Sequence, residues 1–406
     1  MPADVVVVGA GALGLSTALH LALLGREVVL LDSGAAGGQA SGRAAGLFKS
    51  IQPDEVRTVV ARRSIERALT FEQWTGIPLA VEQSGSLVVA RTGEHGRMLQ
   101  REVAASRGWG VPVGDLDARS LAGRSSLYRP TGGEQAWWCP EDVYVEEPMS
   151  LVHAYVAAAV RHGVELREHE PVVAVERDSD RIVAVVSSTA RFETAVVVDA
   201  AGAWSRPVAA LAGAQVPVVP VRHQLLVTEP SSDVDAADPI VRVVDAAVYL
   251  RPARGGLMLG GFEADPLAVL DPQPADPVLD LSVLARMADL VGKEVPSADP
   301  ARTAEHRGGM FTMSADGRFL IGRAGRAGRA ACVDGLWVAS GCNGSGFSSS
   351  LGLGEVLAQL ITGADPYVDV TSLAPGRSNG YDDPGRYDDL VAAGRWQYAH
   401  YYDPAH

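Results

Sequence analysis

The chain is poor in cysteine: 406 residues contain only Cys139, Cys332 and Cys342, an odd number with no CxxC spacing. No disulfide framework and no metal-ligand pattern can be read from them, and their scarcity fits a reducing compartment. Positive charge is also in deficit, with 35 Lys and Arg against 49 Asp and Glu, a formal net charge of −14. Nucleic acid and anionic membranes attract a basic face, so neither is an expected partner. An unbroken apolar run is missing as well. Residues 5–31 are interrupted by Gly9, Gly11, Gly14, His20, Gly25 and Arg26, whereas a spanning helix needs roughly 20 consecutive apolar residues. Strand character begins at Asp4 without a basic leader or cleavage site, so a cytoplasmic enzyme is expected. No repeat is visible, and a chain of this length is expected to form two domains, interleaved or consecutive.

What is present begins near the N-terminus. Asp4-Val5-Val6-Val7-Val8 is a β-branched run of the kind buried on both faces of a parallel sheet. Gly9-Ala10-Gly11-Ala12-Leu13-Gly14 follows directly. Leu13, Thr17, Ala18, Leu21 and Leu24 then recur at helical spacing, Gly25 stops the helix, and Glu27-Val28-Val29-Leu30-Leu31 forms a second strand ending at Asp32 and Ser33. Gly9 permits the tight turn, Gly11 lets a pyrophosphate approach the backbone, and Gly14 lets helix and strand pack closely. Free amides at the helix start hold phosphate, and Asp32 is placed to accept hydrogen bonds from ribose. FAD and NAD share this fingerprint, so the motif alone does not choose between them.

Two further segments favour FAD. After Asp32, the small-residue run Gly37-Gly38-Gln39-Ala40-Ser41-Gly42-Arg43-Ala44-Ala45-Gly46 lets the backbone follow an extended cofactor. Near the other end, a strand leads into Gly341-Cys342-Asn343-Gly344-Ser345-Gly346-Phe347 and then a helix, whose N-terminus can stabilise negative charge on a reduced flavin. The run from Gly322 to Arg329, glycines alternating with cations, is read as a solvated loop and not as a second phosphate site. Without a second dinucleotide fold, NAD(P)H is not the expected reductant.

These segments resemble the D-amino-acid oxidase-type family of FAD-dependent oxidoreductases, the group containing sarcosine oxidase and glycine oxidase. Three more stretches carry the resemblance. Val196-Val197-Val198-Asp199-Ala200-Ala201-Gly202-Ala203-Trp204-Ser205 is similar to the family's "vvnAAGaWs". Val248-Tyr249-Leu250-Arg251-Pro252 is similar to "vYlrP", and Thr312-Met313-Ser314-Ala315-Asp316-Gly317 is similar to "mTPDg". The resemblance implies an α/β fold, with a Rossmann-like FAD-binding domain interleaved with an antiparallel, β-rich substrate domain. It divides the chain into 1–80, 146–214 and 305–374 for the cofactor and 81–145 with 215–304 for the substrate. It adds Val173, Ala201, Gly202 and Trp204 to the cofactor contacts.

The same resemblance implies oxidation of a C–N bond in a small amine or amino acid by hydride transfer to flavin N5, giving an imine. Oxygen or an electron carrier would accept the electrons, and the protein would be a monomer or small homo-oligomer. Gly309 and Arg43 stand where relatives attach flavin through cysteine or histidine, so FAD is expected to bind non-covalently. Met258 stands where sarcosine oxidase-like members place a lysine, Phe262 where they place a histidine, and Ser348 where they place a second lysine. Lys49 lies close to the family's carboxylate-binding arginine. The candidate substrate pocket is therefore Lys49, Tyr249, Arg251, Phe262, Phe311 and Ser348. His223 reads either as a group titrating near neutrality or, preferably, as a satisfied structural histidine. Alternatives are a flavin-binding electron-transfer subunit of a larger complex and a flavin monooxygenase. The tail, 375–406, is dense in tyrosine and either packs on the body, covers a partner or the substrate entrance, or is disordered.

Overall fold

The computed structural model describes residues 1–406 apart from 274–276, 327–328, 378–379, 382 and 405–406. Val5–Val8 has no polar side chain to hydrate and is buried throughout. It pairs in parallel with Val28–Leu31 on one side and with Val197–Asp199 on the other, and the latter pairs in parallel with Arg329–Ser340. Strands from residues 165–193 and 320–326 complete a nine-stranded sheet. The helix Ala12–Leu23 packs on this sheet and against the late helix Gly346–Thr362. Their approach requires small residues: a Cβ on Gly354 would lie 2.3 Å from Ser16 Oγ. Leu15, Leu19, Leu351 and Leu357 are fully enclosed there, each contributing roughly 2 kcal/mol of apolar burial.

A second, eight-stranded sheet runs in the order Thr303–Met313, Val219–Thr228, Gly256–Gly261, Val248–Ala253, Ile240–Val243, Ser86–Ala90, Gln135–Cys139 and Gly114–Leu116. Its neighbours are antiparallel except Ile240–Val243 with Ser86–Ala90, which is parallel. The helix Leu281–Val291 buries Leu284, Met287 and Val291 beneath it. Thr303–Met313 forms a long ladder with Val219–Thr228, so this sheet extends to Met313 and a division at 304/305 cuts through a strand.

Two local expectations also change. Leu320–Arg326 is not loop but a strand paired antiparallel with Arg329–Ser340. Its period of two buries Gly322 and Ala324 and exposes Arg323, whose guanidinium lies 5.2 Å from the Trp337 ring centroid. Ala327 and Gly328 of that run lie outside the described residues. The tail docks on the body: Tyr387–Ala399 is a helix with Leu390 and Tyr398 buried, and a Cβ on Gly394 would lie 3.2 Å from Val219 Cβ. Among the described residues, no helix is long and apolar enough to cross a membrane.

Candidate active site

The first turn is built from backbone. Gly9 has φ +104°, and a Cβ there would lie 2.5 Å from Ala200 O, so only glycine fits. A Cβ on Gly14 would lie 1.8 Å from Gly9 O. The helix Ala12–Leu23 starts with no side-chain cap from Gly11 and no acid in its first turn, leaving amides and the positive end of its dipole facing outward. Ser41 Oγ accepts from Ala12 N at 2.9 Å, which ties the small-residue loop to this turn. At the end of the second strand, Asp32 accepts from Ala10 N at 2.7 Å and Gly34 N at 2.8 Å, leaving acceptor capacity on both oxygens. Burial raises its carboxyl above the ordinary value.

A cleft of about 1330 Å³ starts at Gly11, Ala12, Leu13 and Ser41, passes Ala200 and residues 43–49, and ends among residues of the second sheet. Its run from the glycine turn to the second sheet suits an extended cofactor with a substrate at the far end. The helix Gly346–Thr362 also begins without a side-chain cap or first-turn acid, and Gly344 to Ser348 line the cleft. Two uncapped helix N-termini thus open onto one cavity. Arg307 lines it too, with a buried Nη1 that has no hydrogen-bond partner among the described residues. The glycine cradle, the two positive helix ends and the acid at the second strand fit FAD, whose phosphates, ribose and ring system need such groups.

The far end of the cleft is aromatic. His223 stacks on Phe311 with centroids 4.1 Å apart, and its Nδ1 and Nε2 lie 2.7 Å and 2.8 Å from the Tyr398 and Tyr249 hydroxyls. Burial holds this imidazole down to about 3, so it is neutral near pH 7 and satisfied at both nitrogens. Phe262 stacks on Tyr401 at 4.0 Å. Lys49 Nζ donates a hydrogen bond to the Tyr401 hydroxyl and lies 4.5 Å from that ring's centroid. Burial by itself would raise the Tyr401 phenol, but the Lys49 charge and hydrogen bond, with Ser345 and Arg57, bring it below its ordinary value.

Of the expected substrate residues, Lys49, Tyr249, Phe262, Phe311 and Ser348 line the cleft, and Arg251 does not. Arg251 is fully buried, but Nε donates to Ala45 O at 3.0 Å, Nη1 to Pro252 O at 2.7 Å, and Nη2 to Glu146 O at 2.9 Å. It is a staple between the loop and the second sheet, with its donors consumed by carbonyls. Met258 is buried beside Ala45 and also lies off the cleft.

Of the expected cofactor residues, Gly11, Ala12, Leu13, Ser41, Arg43, Ala44, Ala45, Gly46 and Gly344 to Phe347 line the cleft. Gly9, Gly14 and Gly42 shape it from behind through close backbone packing. Gly341 and Asn343 form the base of the second turn, where Asn343 Oδ1 accepts from Ser314 N at 3.0 Å. Asp32 and Ser33 sit at the strand end, and Ala201 and Gly202 follow the lining residue Ala200. Trp204 is turned away, with Nε1 donating to Pro272 O at 2.9 Å. Val173 does not line the cleft; it lies on the peripheral strand Val172–Asp178 and is 53% exposed. Parity on that strand points it to solvent.

Sequence reasoning missed Asp142, Arg242, Arg307, Tyr401 and Tyr402, all of which line the cleft. Arg242 did leave a signal, as a lone cation in the apolar run Ile240-Val241-Arg242-Val243-Val244. Among the described residues, no cluster of three or more His, Cys, Asp and Glu could hold a metal ion.

A parallel sheet with a glycine turn after its first strand, joined to a second sheet across a cleft, defines a nucleotide-binding oxidoreductase fold. The profile of the FAD dependent oxidoreductase family matches residues 4–360, and the chain belongs to that family. It is 28% identical over 399 residues to 4-methylaminobutanoate oxidase (formaldehyde-forming) of Paenarthrobacter nicotinovorans, covering 94% of this chain and 46% of that protein. It is 28% identical to the glycine oxidase of Pseudomonas aeruginosa, covering 92% of this chain and 99% of that protein. The chain thus spans about half the length of the first of these relatives and nearly all of the second. Among solved structures, L-proline dehydrogenase from P. horikoshii superposes with a TM-score of 0.82 at 23% identity, covering 93% of this chain and 97% of that one.

Proposed function

We propose that the protein holds FAD without a covalent bond and oxidises a C–N bond in a small amine or amino acid to an imine. The observation that carries the reading is the single cleft that joins two uncapped helix N-termini to an aromatic chamber containing Lys49 and Arg242. The relatives named for methylaminobutanoate, glycine and proline support the same substrate class. The non-covalent attachment rests on Gly309 and Arg43 lining the cleft where a linking cysteine or histidine would stand. Arg43 instead donates to Gly38 O at 3.0 Å and Gly308 O at 3.3 Å. In this reading, residues 1–80, 146–214 and 314–374 hold the cofactor, and 81–145 with 215–313 hold the substrate.

When bound, FAD supplies the two-electron acceptor. The chain itself excludes water and selects the protonation state of the amine. Phe262, Phe311, Tyr249 and Tyr401 wall the chamber. Asp142 is the one carboxylate among its described lining residues, and it is already held by Ser50 and Ser86. A chamber with two cations and no available carboxylate disfavours ammonium and favours the neutral amine, which is the oxidisable form. His223, neutral and bonded to two phenols, fixes Tyr249 and moves no proton near neutral pH.

Anaerobic mixing of the flavin-loaded protein with a panel of primary and secondary amines tests this. At least one should bleach the visible flavin band, and bleaching by none of them defeats the reading. Peroxide release during aerobic turnover would identify oxygen as the acceptor, and dye reduction without peroxide would identify a carrier.

A further inference from the structure

A second cavity, of about 1220 Å³, meets the cleft at a shared wall of Lys49, Arg242, Tyr401 and Tyr402. The charged residues around it are Lys49, Arg57, Arg101 and Arg242 against Glu102 and Asp403. Arg57 is paired with Asp54 at 2.8 Å and Arg242 faces Asp142 at 3.5 Å, so the cations around the cavity are matched by nearby carboxylates and its charge is not what distinguishes it.

Arg242 is the unusual member of this wall. It is 6% exposed, and its Nε and Nη2 have no hydrogen-bond partner among the described residues. Asp142 compensates its charge from 3.5 Å, but the Asp142 oxygens are taken by Ser50 N at 2.7 Å, Ser50 Oγ at 2.6 Å and Ser86 Oγ at 2.5 Å. Strand register sets Arg242 directly opposite Tyr249, beside the aromatic chamber. Lys49, the residue expected to hold a carboxylate, is occupied by Tyr401. Arg307 Nη1 lies on the cleft alone, so along the wall shared by the two cavities the buried donors left unmatched among the described residues belong to Arg242, and a buried guanidinium with open donors is costly until an anion meets it.

We propose that Arg242, on the wall shared by the cleft and the second cavity, binds the carboxylate of an amino-acid substrate. The proposal rests on the reading of the cleft as an amine-oxidation site and narrows it to carboxylate-bearing amines. The planar fork of Arg242 suits a carboxylate better than a single ammonium would.

The test is a binding titration that involves no turnover. Propionate and its neutral isostere propionamide are titrated into the flavin-loaded protein, and the visible difference spectrum is followed. Wild type should bind propionate at least ~10-fold more tightly than propionamide. Arg242→Gln should lose that preference, and Arg242→Lys should retain part of it. Equal binding of both probes by wild type overturns the proposal, whether or not any variant folds. An undiminished preference in Arg242→Gln overturns it too. Should neither Arg242 variant fold, Lys49→Met decides: a surviving preference supports Arg242, and a lost one transfers the carboxylate to Lys49 and overturns the proposal. If no amine bleaches the flavin while propionate selectivity holds, the oxidation reading fails and the subsite stands.

Discussion

The two ends of the cleft are made of different material. The end nearest Gly9, Gly11 and Gly14 is backbone: glycines, free amides and a helix dipole, contributed by consecutive residues. The end nearest Phe262 and Tyr401 is side chain, contributed by positions 49, 142, 223, 242, 249, 262, 311 and 401 from across the chain. Backbone recognises what every FAD-binding relative shares, the phosphates. Side chains recognise what differs between relatives, the substrate. One end should tolerate almost no added atoms, and the other should accept exchange of polar groups at modest cost.

The largest expected effect breaks the backbone end. Gly14→Val puts a Cβ where Gly9 O sits, at 1.8 Å, with no flexible side chain able to yield. The variant should be purified without bound flavin, or should fail to fold. At Gly11 the nearest atom is the movable Ser41 Oγ at 3.2 Å, so Gly11→Ala should keep FAD with weakened affinity. Visible absorbance of the purified proteins checks both. Stoichiometric flavin in Gly14→Val would refute the account of a backbone-built site.

This contrast also explains what could be read from the sequence. The strand, glycine turn, helix and terminal acid of the first 32 residues form a local pattern, and each part has a conformational reason that survives without tertiary information. The substrate end has no such pattern. Tyr249 and Arg251 share a parity on the strand Val248–Ala253 and so face the same side. Two residues of rise nevertheless carry Arg251 past the cleft and under the loop at Ala45. Tyr401 lies more than 350 residues from Lys49, and the density of aromatics in the tail suggested packing without saying against what.

A second, smaller effect concerns Asp199, beside the backbone end, where the family pattern has asparagine. Asp199 is fully buried and accepts from Ala201 N at 3.1 Å, and its Oδ2 and the nearby Ser205 Oγ have no well-formed hydrogen bond among the described residues, the serine hydroxyl acting on the carboxylate only weakly. Burial raises its carboxyl to about 7, against the opposing pull of Ala201 and Ser205. An unfolded aspartate titrates near 3.9. Between about pH 4 and pH 7 the unfolded chain therefore releases a proton that the folded protein keeps, and stability falls as pH rises through that window. Asp199→Asn removes the titration and supplies a donor for the serine. It should raise stability at pH 8 by roughly 2 kcal/mol, with the gain shrinking toward pH 4. Thermal melting of both proteins at the two pH values measures it. An equal or lower Tm for Asp199→Asn at pH 8 would contradict the assigned burial of a charged carboxylate.

The smallest effect probes the side-chain end. Tyr401 covers Phe262 with its ring and engages Lys49 with its hydroxyl, so it both walls the chamber and keeps the lysine from adding a second contact to a carboxylate held by Arg242. Tyr401→Phe keeps the stacked ring and removes only the hydroxyl. If the hydroxyl competes, the variant should bind a carboxylate-bearing substrate more tightly by about 1 kcal/mol, lowering KM roughly fivefold. Bound FAD should be unchanged, because no atom at the backbone end is disturbed. If KM rises instead, Tyr401 is a substrate contact in its own right, and Lys49 serves to hold it in place. Either sign leaves the ring stack intact, so the comparison isolates one hydrogen bond. Its small size follows from the design of that end, where each polar group replaces water at little net gain and selectivity comes from how several act together.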